Sequence, residues 1–192
     1  MSEIVFEKKW DFGVFQTWNE KPPFETFHVH QVHGIDFLQE NSSGQADGIS
    51  GTQTRPWAIK TADCLPIVII GHRGHVFMHA GWRGLAQKIH LHHEVEKIAP
   101  FYVFVGPHIC ADHFEVSSDF TENFPKSNNL KQSNDGKYSF DLFGQLVSDL
   151  KEKFKDITVE NAKQCTFELP HLHSYRLNKT EQRNWNIFTY FR

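Results

Sequence analysis

Residues 65–70, Leu-Pro-Ile-Val-Ile-Ile, form an unbroken apolar run that stops at Gly71, and this run most narrows the folds open to the chain. A strand with one face in water alternates apolar and polar residues. An apolar run of strand length needs cover on both faces. The reading is therefore a buried central strand inside a layered structure. Neighbouring segments supply the partners. Phe27 to Gln31 alternates like a strand leading into Val32-His33-Gly34, Pro56–Lys60 and His75–His79 read as strands, and Phe101–Val105 is a strand ended by Gly106-Pro107. Asn41–Gly44 reads as a loop. One helix is expected from about Leu85 to Ile98. A second is expected from Leu142 to Phe154, with an apolar stripe and Asp141 as its cap. Thr158-Val159 and Asn186–Phe191 complete the strands. Mixed strands and helices within 192 residues predict a single α/β domain, residues 1–192.

The bulk numbers exclude several classes. Twenty Lys and Arg against 23 Asp and Glu leave a net charge of −3, which gives no reason to expect a nucleic-acid or membrane surface. No apolar run approaches the roughly 20 residues of a membrane helix. The first residues carry no signal-like apolar core. Three cysteines, Cys64, Cys110 and Cys165, are an odd and sparse set, which points to reduced thiols and a cytoplasmic location.

Three segments carry chemistry: Gln31-Val32-His33-Gly34, Thr61-Ala62-Asp63-Cys64-Leu65-Pro66 and His79-Ala80-Gly81-Trp82-Arg83-Gly84. Each sets a metal-binding side chain beside small or turn-forming residues at a strand end. Two imidazoles and a thiolate suit zinc. The spacings, 31 residues from His33 to Cys64 and 15 from Cys64 to His79, exclude a zinc finger or ribbon. From these residues alone Cys64 also reads as a nucleophile activated by an imidazole, and all three also read as ordinary strand-end residues. Asp47-Gly48 is a turn signature, so Asp47 reads as a turn cap. His28, His30, His171 and His173 read as exposed, with His28 and His30 pointing away from the partners of His33. His90, His92 and His93 read as the polar or boundary face of the first helix, and Cys110 and Cys165 as small buried residues.

The segments QVHG, ADGIS, TADCLP, HAGWRGL and GPHI…HFEV, followed by Lys137–Leu142, Cys165-Thr166, Ser174-Tyr175-Arg176 and Arg183, resemble the YfiH-like family in order and spacing. That family is also called the laccase-domain, polyphenol-oxidase or purine nucleoside phosphorylase family. The resemblance covers about residues 28–192. It implies a layered α/β/α fold around a mixed sheet and one zinc ion held by His33, Cys64 and His79. The activity it implies is phosphorolysis of adenosine, inosine and methylthioadenosine, together with adenosine deamination. Purine nucleoside and phosphate would then be the partners. Asp63 becomes a candidate proton shuttle, Arg83 the positive group for phosphate, and Gln31 and Arg176 further substrate contacts. A copper-dependent polyphenol oxidase, a peptidoglycan-precursor editing amidase and a non-catalytic binding module are the alternatives. The resemblance departs at the N-terminal side, where Gln16-Thr17-Trp18-Asn19 stands where an arginine is expected. On that ground deamination is expected to survive better than phosphorolysis.

Overall fold

The computed structural model describes residues 1–132 and 136–191. The chain opens with an antiparallel hairpin of β1 (Ile4–Trp10) and β2 (Gly13–Trp18). Then come β3 (Phe27–His28), β4 (Phe37–Gln39), β5 (Gly48–Gly51), β6 (Trp57–Thr61), β7 (Leu65–Gly71) and β8 (Gly74–Ala80). Helices α1 (Trp82–Ala86) and α2 (His93–Lys97) precede β9 (Pro100–Val105). A small sheet of β10 (Glu115–Val116), β11 (Leu130–Gln132) and β12 (Tyr138–Phe140) leads into α3 (Leu142–Lys153). The chain ends with β13 (Thr158–Asn161), α4 (Tyr175–Asn178) and β14 (Asn184–Tyr190).

Two larger sheets dominate. One has six strands in the order β13-β9-β7-β8-β5-β4, and the other five in the order β1-β2-β14-β6-β3. Both are mixed: β13 runs parallel to β9, β4 to β5 and β3 to β6, while the remaining pairs are antiparallel. The apolar run at residues 65–70 becomes β7, an interior strand whose residues are all buried up to Gly71. Its two faces enter different cores, as the two-residue period requires. Leu65, Ile67 and Ile69 pack with Leu85, Val95, Leu146 and Leu150 on the helical side. Val68 and Ile70 pack with Phe15, Trp57 and Phe188 from the five-stranded sheet. The mixed-sheet α/β class is as expected. The layer on the second face of the central sheet is another sheet, where the family resemblance implied helices.

Helix α3 follows its apolar stripe, and Asp141 caps it by accepting from the Gly144 N–H at 2.8 Å. The helix expected over residues 85–98 is broken. Lys88 adopts a left-handed φ of 62°, a 3-10 turn fills Ile89–Leu91, and α2 restarts at His93, where the His92 ring accepts from the Glu94 N–H. The break turns His90 inward. It is fully buried, and its Nε2 lies 2.9 Å from Asp149 on α3, which corrects its reading as part of the polar or boundary face. The strand expected at Phe27–Gln31 is short, ending at His28 with one further bridge between His30 and Gln45.

Candidate metal centre and substrate pocket

Antiparallel pairing of β7 with β8 brings the start of one strand beside the end of the other. Leu65 pairs with Ala80 and Pro66 with His79, so Cys64, one residue before β7, lies next to His79. The loop after β3 delivers His33 to the same edge. Its conformation is left-handed, with φ 60°, a cost that a non-glycine residue bears only where its surroundings hold it. Asp47 does the holding. Its Oδ1 accepts from the His33 N–H at 3.0 Å, and its Oδ2 accepts from the N–H groups of Val32 at 3.2 Å and Gly34 at 2.6 Å. The same carboxylate lies 2.8 Å from His79 Nδ1, and the Asp47 carbonyl accepts from the His79 N–H. Asp47 is fully buried. The turn-cap reading is thereby corrected: Asp47 organises the site. The ADGIS segment marked this stretch in the sequence, but nothing in it assigned a role to Asp47, because Asp-Gly is commoner as a plain turn.

The donor atoms of His33, Cys64 and His79 all lie within 4.8 Å of one another. The rings of His33 and His79 stand edge to face, with centroids 4.7 Å apart. With Nδ1 of His79 bonded to Asp47, its Nε2 is the nitrogen left for a ligand, the usual arrangement of a carboxylate behind a metal-binding histidine. Burial by itself would raise the Cys64 thiol, but His79 and His33 outweigh it and bring it down to about 6. Burial would likewise lower His79, yet the Cys64 thiolate and Asp47 raise it to about 9. Burial also opposes the charge on Asp47, and its bonds to His79 and to the Gly34 and Val32 N–H groups still hold it below the usual carboxylate range. A sulfur already poised as thiolate beside two imidazoles is a donor set that zinc or another borderline-soft ion fits. Gly81 keeps the space open: a Cβ there would sit 2.9 Å from Cys64 Sγ.

The trio opens into a cavity of about 560 Å³. Its charged lining consists of five cations, Lys60, Arg83, Arg176, Lys179 and Arg183, against the single carboxylate of Asp63. Arg83 is exposed, stacks 4.7 Å over the Trp82 ring, and makes no ion pair among the described residues. Asp63 adopts φ 91° and commits both oxygens, Oδ1 to the Thr166 hydroxyl and Oδ2 to the Arg176 N–H, each at 2.7 Å. Arg176 in turn donates to the Glu115 carbonyl at 2.7 Å. Gln31 lines the cavity, but its amide donates to and accepts from the Lys60 backbone at 2.8 Å in both directions. His30 also reaches the cavity lining, contrary to its expected orientation, whereas His28 packs on Trp185. Residues 16–19 belong to β2 and the turn after it and lie outside the lining.

A thiol and two imidazoles converging at a sheet edge, beside a cavity lined by five cations, form a donor set that could hold a metal ion in an α/β protein. The chain belongs to the YfiH-like family: the family model described as multi-copper polyphenol oxidoreductase laccase matches residues 14–187. A purine nucleoside phosphorylase of Aquifex aeolicus is 38% identical over 132 residues, which are 65% of this chain and 61% of that protein. Purine nucleoside phosphorylase YfiH of Escherichia coli is 31% identical over 180 residues, 84% of this chain and 72% of that one. Adenosine deaminase RL5, from an unknown prokaryotic organism, is 32% identical over half of this chain and 36% of its own length. Among solved structures, a Neisseria meningitidis protein superposes with a TM-score of 0.77 at 24% identity, covering 86% of this chain and 74% of that one. YlmD from Geobacillus stearothermophilus gives 0.72 at 23%, covering 86% and 73%. These two likenesses concern the fold. No helix among the described residues is long and apolar enough to cross a membrane.

Proposed function

We propose that the chain is a zinc-dependent enzyme of purine nucleosides, cleaving them with phosphate and deaminating adenosine. The observation that carries the reading is the convergence of the His33, Cys64 and His79 donors with the five-cation cavity above them. When bound, zinc supplies a Lewis acid that makes water nucleophilic near neutral pH. The chain's own groups do the rest. Lys60, Arg83 and Lys179 have side-chain N–H groups committed to no protein acceptor among the described residues, and they offset the charge of a phosphate dianion as it sheds water. Trp82, Phe114 and Tyr175 also line the cavity and offer aromatic surface to a purine. Gln31, tied to Lys60, acts as a strut that sets the position of that lysine. Asp63 acts as a positioning residue, since both its oxygens hold the 166–176 segment over the cavity.

The expected handicap in phosphorolysis rested on residues 16–19. Those residues lie outside the cavity, and the cations lining it offer a phosphate site of their own. Phosphorolysis is therefore part of the proposal. The test is consumption of adenosine by the zinc-loaded protein, with and without phosphate, beside the metal-stripped protein and Cys64→Ala. Turnover that needs zinc and Cys64 supports the reading. Equal turnover by Cys64→Ala overturns it. A blue or type-2 copper spectrum with phenol oxidation would favour the oxidase instead.

A further inference from the structure

A second set of donors lies outside the cavity lining. Cys110 and Cys165 are drawn together with His113 and Glu168, and all four donor atoms fall within 4.8 Å of one another. Cys110 Sγ is 3.2 Å from His113 Nδ1 and 3.8 Å from Glu168 Oε1, and His113 Nδ1 is 3.7 Å from Cys165 Sγ and 3.4 Å from Glu168 Oε1. The sequence reading of both as small buried residues holds for Cys165, whereas Cys110 is half-buried, and the two come together rather than lying apart in the core.

The backbone explains the convergence. Each half is a Cys-x-x-ligand turn: the His113 N–H donates to the Cys110 carbonyl and the Glu168 N–H to the Cys165 carbonyl, both at 3.2 Å. One turn thus presents Cys110 and His113 on one side, and the other presents Cys165 and Glu168. Parallel pairing of His108 with Cys165 sets the turns against each other. The Cys110 N–H donates to Cys165 Sγ at 3.2 Å, which ties the first turn to the second. The His113 ring stacks on Phe167 with centroids 4.3 Å apart, which fixes its orientation. Two sulfurs, one imidazole and one carboxylate complete a four-donor set with no position left over, the pattern of a structural site rather than a catalytic one.

We infer that Cys110, His113, Cys165 and Glu168 form a second, structural zinc site that staples residues 110–113 to residues 165–168. The staple bears on the cavity wall. Thr166, beside Cys165, holds Asp63, and Phe114, beside His113, lines the cavity. This inference is independent of the nucleoside reading, because it concerns metal content alone.

The experiment is zinc stoichiometry after reconstitution with zinc chloride and removal of free ion. The wild-type chain is expected to hold two zinc ions, Cys64→Ala one, and the Cys110→Ser/Cys165→Ser double variant one. Cobalt replacement gives a second readout. In Cys64→Ala the thiolate-to-cobalt absorption per bound ion should be about twice that of the double variant, because two sulfurs replace one. Should the double variant fail to fold, His113→Asn and Glu168→Gln serve in its place, each weakening retention of one ion and leaving the other. A wild-type stoichiometry of one, abolished by Cys64→Ala, overturns the inference. So does recovery of a Cys110–Cys165 disulfide from the zinc-loaded protein.

Discussion

Replacing Asp47 by Asn removes one charge from the buried centre of the site without changing its volume. The asparagine keeps one acceptor, and either orientation leaves donors facing donors. If its oxygen faces His79 and the His33 N–H, its amide group points at the N–H groups of Val32 and Gly34. Two partly buried N–H groups then lose their partner, at about 1 kcal/mol each. If the amide is flipped, its N–H faces His79 Nδ1. The histidine must then carry its proton on Nε2, the nitrogen that faces Cys64 and His33, and cannot bind a metal there. Loss of such an orienting carboxylate ordinarily weakens metal binding about 10- to 100-fold, or about 1.4–2.7 kcal/mol. Competition for zinc with a chromophoric chelator, run on the wild-type and Asp47→Asn proteins, measures the second quantity. Thermal melting of the metal-free proteins measures the first. Zinc affinity within twofold of wild type, together with an unchanged melting temperature, would refute the role assigned to Asp47.

Arg83→Ala should leave zinc content and melting temperature nearly unchanged, since the side chain is exposed and touches chiefly the Trp82 ring. It should raise KM for phosphate about tenfold or more, the scale of one charge-assisted hydrogen bond; unchanged kinetics would show that Arg83 does not reach the substrate. Gly81→Ala places a methyl group 2.9 Å from Cys64 Sγ and should cost zinc affinity more than folding stability, as chelator competition and melting would show. His75 is 1% exposed between the rings of Trp57 and Tyr190, its Nδ1 has no partner, and burial lowers its pKa from 6.5 to about 4. The neutral form belongs to the fold, so its contribution is complete above about pH 6.5 and is lost as pH falls toward 4, by about 3 kcal/mol in all. Urea unfolding at pH 7 and pH 4.5 should show a smaller loss in His75→Phe than in wild type, and equal losses would dismiss the assignment.

The parts of the molecule legible in sequence were those with a periodic or contiguous signal. The apolar run at residues 65–70 needed cover on both faces, and β7 has it from the helical core and the second sheet. The stripe of α3 and its Asp141 cap were equally plain. Cys64 and His79 stood out as candidate ligands because short motifs surround them, and antiparallel pairing of β7 and β8 supplies the reason that they meet. The helix break at Lys88 left no trace, because a left-handed φ on a lysine has no compositional signature. Asp47 was hidden by its ordinary Asp-Gly context, since its partners are backbone N–H groups that no side-chain pattern announces. The cluster at Cys110 and Cys165 was hidden by distance: its two Cys-x-x turns are far apart in the chain and meet through the bridge between His108 and Cys165.

The central claim is that the His33, Cys64 and His79 centre works with the cationic cavity above it on purine nucleosides. The most direct measurement is chromatographic identification of the products formed from adenosine by the zinc-loaded protein at saturating phosphate. Adenine and ribose 1-phosphate in equal amounts, with inosine formed when phosphate is withheld, is the result predicted. A folded, zinc-loaded protein that leaves adenosine, inosine and methylthioadenosine intact under both conditions would contradict it.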